Sequence, residues 1–318
     1  MNSTAFLFPG QGSQYVGMGQ DLYEAYPEAR AIFDQADDIL GLALSELCFN
    51  GPEERLSDTI NTQPAIFATS VALLRALTSN KLPVPGFVAG HSLGEYSALL
   101  AAGAMDFVSG LQLVRERGRL MKEAGQRSPG GMAAVLGLET EVVDQVCRQA
   151  REETGGVIQV ANYNSPGQIV ISGDFRTRDV AVELAKAEGA KRVVPLAVSI
   201  AAHSPLMQCI VDEFRQAVEA VEFRRPTVPV VANVTATPLE GVDAIREELV
   251  QQLTSPVRWV ESVQYMVGQG VAEFVEIGPK DVLTKLMRRI DKSVQAKSVG
   301  DATTVDGKHK EEKDESKC

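Results

Sequence analysis

The sequence predicts an α/β protein in which a small ferredoxin-like subdomain interrupts a larger, mainly parallel α/β domain. Strand-like and helix-like segments alternate on both sides of the middle of the chain, which is typical of a parallel sheet covered by helices. Between them, residues 127–198 have the order β-α-β-β-α-β, the split-βαβ arrangement. A Gly-x-Ser-x-Gly motif at residues 90–94 lies between a short apolar run and a helix-forming run. Together these features place a candidate site at the carboxyl ends of the large domain's strands.

The predicted domain boundaries follow the changes in pattern. The large domain is expected to comprise residues 1–126 and 199–300, with the subdomain at residues 127–198. The Ser-Pro-Gly-Gly run at residues 128–131 marks the beginning of the subdomain, because Pro and Gly favour loops. Residues 301–318 are rich in charges of both signs and are expected to be a disordered tail.

The composition excludes several classes of protein. The 318 residues are 44% hydrophobic and 23% charged, an ordinary globular balance. The formal net charge of -11 argues against a nucleic-acid-binding protein. The 4 cysteines form no Cys-x-x-Cys pair, so we expect neither a disulfide framework nor a metal site, and a reducing cytoplasmic location fits. No apolar stretch approaches the roughly 20 residues that span a bilayer, so no membrane association is expected.

The first predicted strand, residues 5–8, leads into a glycine-rich loop at residues 9–14. The segment before it lacks a basic region, so it is interpreted as the start of a strand and not as a signal peptide. The loop has neither the Gly-Lys-Ser/Thr ending of a phosphate loop nor the spacing of a dinucleotide site, and no nucleotide cofactor is expected. The loop either brings a backbone N–H and an amide side chain near a reacting carbonyl or is a plain strand-to-helix turn.

Ser92 is predicted to be a nucleophile. The apolar segment, the tight turn and the following helix have the pattern of a nucleophile elbow, which holds a serine hydroxyl out at the top of a sheet. The helix N-terminus beside it stabilises developing negative charge. The alternative is a strand-to-helix turn in which Ser92 caps the helix. His91 is expected to point away from Ser92 and to pack or form a hydrogen bond.

Three arginines follow on a helix predicted from residue 106 to about residue 123. At about 100° per residue, Arg115 and Arg119 fall on its polar side, whereas Arg117 falls between two apolar stripes. Burying a guanidinium without an anionic partner costs several kcal/mol. The partner of Arg117 is therefore either an internal carboxylate or the carboxylate of a substrate.

Elimination points to His203 as the partner of Ser92. The chain has 3 histidines, of which His309 lies in the charged tail and His91 is held next to Ser92 on a bent turn. If Ser92 requires a histidine base, His203 remains. The alternative is a structural histidine at the start of the helix that follows it.

Six motifs, taken in order, resemble the malonyl-CoA:acyl carrier protein transacylases (ACP S-malonyltransferases) of fatty acid synthesis and the related acyltransferase domains of polyketide synthases. The motifs are FPGQGSQ at 8–14, GHSLGEYSA at 90–98, RGRLM at 117–121, NYNSPG at 162–167, HS at 203–204 and QLTSPV at 252–257. The similarity covers the chain to about residue 300. It implies an α/β-hydrolase-like large domain with a ferredoxin-like insert.

The resemblance also implies an enzyme and its partners. Such an enzyme moves a malonyl group from malonyl-CoA to the phosphopantetheine thiol of acyl carrier protein by a ping-pong mechanism and supplies extender units for fatty acid synthesis. Ser92 matches the nucleophile and His203 its base. No cofactor or metal is implied, and neither nucleic acid nor a membrane is an expected partner. Candidates for docking the acidic carrier protein, by proximity in the sequence, are Lys186, Lys191, Arg192, Lys280, Lys285, Arg288 and Arg289. The alternative for each of them is an ordinary solvated charge.

Four further positions take roles by the same resemblance. Backbone N–H groups of Gln11 and Leu93 match the oxyanion hole, and Arg117 matches the bidentate clamp for the malonyl carboxylate. Gln252 matches the position whose main-chain carbonyl orients the histidine base, and it is predicted to belong to the substrate-binding residues. One departure concerns Ala202, where family members that select malonyl units often carry a bulkier or polar residue. A wider pocket that accepts methylmalonyl groups is the resulting hypothesis.

Two rival functions share parts of this pattern. A serine esterase or thioesterase has the elbow and the histidine but needs no buried cation. A non-catalytic carrier-binding scaffold of the same fold has no use for an intact serine and histidine. The sequence leaves open whether the product enters fatty acids or polyketides.

Overall fold

A computed structural model describes residues 3–79, 84–196 and 200–306. The first part of the chain forms β1 (Ser3–Phe8), α1 (Gln20–Ala25), α2 (Pro27–Leu40), α3 (Leu44–Asn50), α4 (Glu53–Ser57), α5 (Thr59–Ser79), β2 (Phe87–Gly90), α6 (Gly94–Ala101) and α7 (Phe107–Arg127). The middle part forms β3 (Gly130–Leu136), α8 (Thr140–Thr154), β4 (Ile158–Ser165), β5 (Gln168–Asp174), α9 (Phe175–Ala187) and β6 (Arg192–Pro195).

The last part of the chain returns to the large domain. It forms a 3-10 helix (Pro205–Ile210), α10 (Val211–Glu219), β7 (Val230–Val231), α11 (Val242–Gln251), α12 (Trp259–Gly268), β8 (Val271–Ile277), α13 (Val282–Ile290), β9 (Gln295–Val299) and α14 (Ala302–Val305). Within the described ranges, no helix is long and apolar enough to cross a membrane.

The large sheet has the strand order β7-β2-β1-β8-β9, and every neighbouring pair is parallel. Its central strand β1 is buried from Ala5 to Phe8, as a strand covered on both faces by helices must be. Apolar side chains pack on both faces; Phe6 and Phe8 belong to one core cluster, and Ala5 and Leu7 to another. The loops that follow β1 and β2 therefore meet at one edge of the sheet.

The second sheet is antiparallel and has the order β4-β5-β3-β6, which is the ferredoxin-like arrangement of a β-α-β-β-α-β unit. Helices α8 and α9 bury Val143, Val146 and Ala181 against Ile158 and Ile171 in a core of its own. A parallel sheet interrupted by this unit confirms the predicted fold class. The predicted subdomain boundary at residues 198/199 lies outside the described residues.

The predicted tail begins too early. Residues 301–306 are described, and they contain the helical turn α14. The Asp301 side chain accepts a hydrogen bond from the Thr304 N–H at 2.8 Å, the Thr304 hydroxyl bonds back to Asp301, and Val305 is buried. This reciprocal cap stabilises a turn whose composition suggested disorder. Residues 307–318, which include His309, lie outside the described part of the chain.

Candidate active site

Ser92 lies on a sharp turn between β2 and α6. Its φ of 51° is in the left-handed region, which a residue with a side chain adopts only when its surroundings hold it there. A Cβ on Gly90 would lie 1.9 Å from the carbonyl carbon of Gly94, so the strand and the helix approach too closely for any other residue at position 90. This is the geometry of a nucleophile elbow, and it exposes the hydroxyl at the carboxyl end of β2.

The Ser92 Oγ lies 2.8 Å from the Nε2 of His203. The Nδ1 of His203 lies 2.7 Å from the main-chain oxygen of Gln252. Because a carbonyl oxygen only accepts hydrogen bonds, Nδ1 carries the proton and Nε2 is left free to accept one from Ser92. His203 itself has a φ of 58°, and its main-chain oxygen accepts a hydrogen bond from the Gln159 side chain at 2.7 Å.

His203 is held in the neutral form. Burial, followed by the positive charge of Arg117, lowers the pKa of His203 to about 3. Because desolvation disfavours the charged ring, the imidazole is available as a proton acceptor near neutral pH. His203, the histidine that remained after the other two were set aside, is therefore within hydrogen-bonding distance of the Ser92 Oγ and is neutral.

Arg117 on α7 has only 1% of its surface exposed. Its NH1 donates to the Oε1 of Gln63 at 3.0 Å, and its NH2 donates to the Oε1 of Gln252 at 2.8 Å and to the Ser92 Oγ at 3.2 Å. The ring of Tyr96 lies 5.5 Å from the guanidinium carbon. Among the described residues, Arg117 makes hydrogen bonds to neutral oxygens and no ion pair. A cation in this position can attract the carboxylate of a ligand beside Ser92.

A cavity of about 140 Å³ connects these groups. Gln11, Leu93, Ser92, Arg117 and His203 line it. The remaining lining residues are Thr59, His91, Met121, Met132, Asn162, Leu196, Ile200 and Ala202. The backbone N–H groups of Gln11 and Leu93 donate to no other described residue, so both are free to bind an oxyanion. Gln252 is fully buried and does not line the cavity; it contacts Arg117 and His203 from behind.

His91 points away from the Ser92 hydroxyl. Its Nε2 lies 2.8 Å from the Oδ1 of Asn164, and its ring lies 5.5 Å from the ring of Trp259. The local sequence pattern favours a turn at Asn162 and Asn164. In the structure, Asn162 lines the cavity and Asn164 is hydrogen-bonded to His91. Both instead lie in β4, and nothing in the local sequence distinguishes their roles.

Three further residues of the site are not predicted by the sequence pattern. Gln63 binds Arg117, Asn233 accepts a hydrogen bond from the Ser92 N–H at 2.7 Å, and Glu95 is buried behind the turn. No local signal identifies Gln63 or Asn233. Within the described ranges, no group of three or more His, Cys, Asp or Glu side chains is arranged to hold a metal ion.

Comparison with known proteins gives one consistent result. Residues 5–317 match the acyl transferase domain family. The chain is 45% identical over 306 residues to the malonyl CoA-acyl carrier protein transacylase of Bacillus subtilis, covering 96% of each chain. It is 43% identical over 305 residues to the enzyme of the same name from Escherichia coli K12, covering 96% of this chain and 98% of the relative.

Solved structures agree with these relatives. A malonyl-transacylase solved in complex with a type II PKS acyl-carrier protein superposes with a TM-score of 0.93 at 43% identity, covering 96% of this chain and 99% of that one. An acyl carrier protein S-malonyltransferase from Vibrio cholerae superposes with a TM-score of 0.92 at 42% identity, with the same coverage.

Proposed function

Because this chain belongs to the malonyl-CoA:acyl carrier protein transacylase family, we propose that it moves malonyl groups from malonyl-CoA to the phosphopantetheine thiol of an acyl carrier protein through a malonyl ester on Ser92. The observation that carries the mechanism is the contact of the Ser92 Oγ with both the His203 ring, at 2.8 Å, and the Arg117 guanidinium, at 3.2 Å. The proposed nucleophile, the Ser92 Oγ, therefore contacts both the proposed base and the cation proposed to bind the substrate carboxylate.

The first half-reaction forms the ester. The Nε2 of His203 takes the Ser92 proton while Oγ attacks the thioester carbonyl carbon. The N–H groups of Gln11 and Leu93 bind the resulting oxyanion. The carbon–sulfur bond then breaks, and CoA leaves as a thiol with the proton from His203. Free CoA is the first product.

The second half-reaction reverses these steps with a different thiol. The phosphopantetheine thiol gives its proton to His203 and attacks the ester carbonyl carbon. The bond from carbon to Ser92 Oγ breaks, and Oγ recovers the proton. The cavity is small, and part of its wall is apolar, formed by Met121, Met132 and Ile200 among others. We propose that this wall limits the access of water, whose attack would release free malonate instead.

Arg117 is proposed to select the malonyl group. In the absence of substrate, its partners are neutral oxygens, so the carboxylate of malonyl-CoA supplies the missing negative charge. An acetyl group has no carboxylate and leaves the buried cation without an anionic partner. This asymmetry favours malonyl over acetyl transfer.

The carrier protein is proposed to dock near Lys280. Its Nζ donates to the main-chain oxygen of Gly12 at 3.3 Å, next to the loop that carries Gln11, and both Lys280 and Arg288 line a surface cavity of about 680 Å³. An acidic carrier docked there has its thiol arm close to the mouth of the site.

We also propose that residues 127–198 form the subdomain. A cytoplasmic location is proposed as well, and the free thiols of Cys48, Cys147 and Cys209 support it.

Intact-protein mass spectrometry after mixing with malonyl-CoA tests this function. The expected result is a stable mass increase of one malonyl group, which Ser92→Ala abolishes and which a carrier protein thiol removes. Ser109→Ala on α7, outside the cavity, is the control and should acylate normally. An adduct that decays at once with release of malonate supports a thioesterase instead, and no adduct supports a non-catalytic scaffold.

A further inference from the structure

A buried carboxyl group lies directly behind the turn that carries Ser92. Glu95, in the first turn of α6, is fully buried. Its Oε1 accepts hydrogen bonds from the backbone N–H of Asn233 at 2.9 Å and from the Asn233 Nδ2 at 3.2 Å, and its Oε2 accepts from the Gln252 Nε2. Burial and the neighbouring Glu248 raise the pKa of Glu95 well above its usual range. Keeping a carboxyl group here is costly, and the reaction steps above do not use it.

Asn233 connects Glu95 to the nucleophile turn. Its Oδ1 accepts from the Ser92 N–H at 2.7 Å, and its Nδ2 donates to the Gly90 oxygen at 2.7 Å. The two bonds therefore hold the backbone on both sides of His91, where Ser92 is in the left-handed region. With the Ser92 N–H directed to Asn233, the Leu93 N–H remains free at the cavity.

Gln252 connects Glu95 to Arg117. The Gln252 Nε2 donates to Glu95 and to the Ser92 main-chain oxygen, the latter at 3.1 Å, so its Oε1 is directed at Arg117. An amide has a donor end and an acceptor end, and the acceptors on one side determine which end faces the other. Without an acceptor at position 95, the Gln252 Nε2 loses one of its two acceptors. Fewer contacts then keep the Gln252 Oε1 directed at the Arg117 guanidinium.

We propose that Glu95 is a positioning residue that acts through two arms: through Asn233 it holds the Ser92 turn, and through Gln252 it directs an oxygen at Arg117. Glu95 itself does not line the cavity. The inference rests on the proposed chemistry at Ser92 and Arg117.

Glu95→Gln tests the Gln252 arm. The new amide keeps an oxygen for the two Asn233 donors and presents its NH₂ to the NH₂ of Gln252, because the opposite orientation would face both Asn233 donors. Gln252 then turns its oxygen to residue 95 and its NH₂ to Arg117, and it gives up its hydrogen bond to the Ser92 main-chain oxygen. In single-turnover acylation, we expect the rate with malonyl-CoA to fall about tenfold more than the rate with acetyl-CoA.

Asn233→Ala tests the other arm. It leaves the Ser92 N–H and the Gly90 oxygen without their partner, so the turn loses its support for every substrate. The expected result is an equal fall with malonyl-CoA and acetyl-CoA, about 10- to 100-fold, with little change in KM for either. Should Asn233→Ala not fold, Asn233→Ser, which opens less space, is measured in its place.

Glu276→Gln is the matched control. Glu276 is also buried and accepts backbone N–H bonds from Leu283 at 2.9 Å and Thr284 at 2.7 Å, but it lies outside the cavity. Its replacement should lower the melting temperature and leave the acylation rates unchanged. The inference is overturned if the position 95 and 233 variants behave like this control. Uptake of malonyl by Ser92→Ala would instead overturn the proposed function.

Discussion

The Nδ1 of His203 lies 2.7 Å from the main-chain oxygen of Gln252, so the imidazole is oriented by a backbone carbonyl instead of a carboxylate. A carbonyl holds the ring and its tautomer without supplying a negative charge. A carboxylate would stabilise the charged imidazolium, whereas here burial and Arg117 both oppose it. The imidazole is consequently neutral throughout the ordinary pH range.

This neutrality predicts the pH dependence of acylation. Since the pKa of His203 is lowered to about 3, kcat/KM for malonyl-CoA should show no loss from this group between about pH 8 and about pH 5. A protonation step with an apparent pKa near 6.5 would contradict it. The unfolded chain binds this proton at about pH 6.5 and the folded chain only near pH 3, so stability falls as the pH drops below about 6.5. Melting temperatures measured in the same buffers separate unfolding from loss of the base.

Arg117→Ala should change substrate preference more than it changes acyl transfer. We expect kcat/KM for malonyl-CoA to fall about 100- to 1000-fold, corresponding to roughly 3–4 kcal/mol, and that for acetyl-CoA to fall far less. Arg119→Ala is the control two residues along the same helix, where the guanidinium forms exposed ion pairs with Glu116 and Glu123. Equal losses with both thioesters would show that Arg117 does not recognise the malonyl carboxylate.

Gly10→Ala should disturb the proposed oxyanion hole. A Cβ at Gly10 would lie 2.3 Å from the main-chain oxygen of His91, so the loop with Gln11 must move away from the turn with Leu93. Losing one of the two donors predicts a fall in the acylation rate of about 100-fold or more, with KM less affected. For comparison, Gly268→Ala at the end of α12 meets nothing within 4 Å and should keep the wild-type rate. A normal rate for Gly10→Ala would contradict the role of this loop.

The small side chain of Ala202 leads us to expect that the site accepts a larger acyl group. It lines the cavity beside His203 and has only a methyl side chain. The enzyme should therefore form a methylmalonyl ester on Ser92 from methylmalonyl-CoA, and Ala202→Phe should reduce this reaction more than malonyl transfer. Strict preference of the wild-type enzyme for malonyl-CoA, measured by competition between the two thioesters, would exclude the wider pocket.

The raised pKa of Glu276 predicts that the stability of the folded chain depends on pH. Burial raises the pKa of Glu276 from its ordinary value of 4.5 to about 7, so the folded chain binds its proton more tightly than the unfolded chain. The stability from this proton is complete below about pH 4.5 and is lost as the pH rises through about 7. Glu276→Gln titrates no proton here, so its deficit in melting temperature should be larger at pH 5 than at pH 8. A deficit that does not change with pH would contradict the raised pKa.

Much of the fold follows from local pattern. The alternation of strands and helices, the β-α-β-β-α-β order and the turn around Ser92 depend on residues close together in the chain, whose periodicity and glycine content are visible in the sequence. Arg117 is identified in the same way, from its angular position on one helix. The prediction that the disordered tail begins at residue 301 is wrong for residues 301–306, because the Asp301 cap stabilises α14 and charge composition does not reveal such a cap.

The sequence by itself determined which residue types are present for the chemistry: a serine on a sharp turn, a histidine left by elimination and a cation between apolar stripes. Only the tertiary structure decided their partners. Asn233 meets Ser92 across 141 positions, and Gln252 meets Arg117 across 135. The first contact lies where the segments after β7 and β2 meet, and the second joins the end of α11 to the middle of α7. No local periodicity encodes which distant amide arrives at either place. Hydrogen-bond direction, burial and the resulting protonation of His203 are therefore properties of the folded chain.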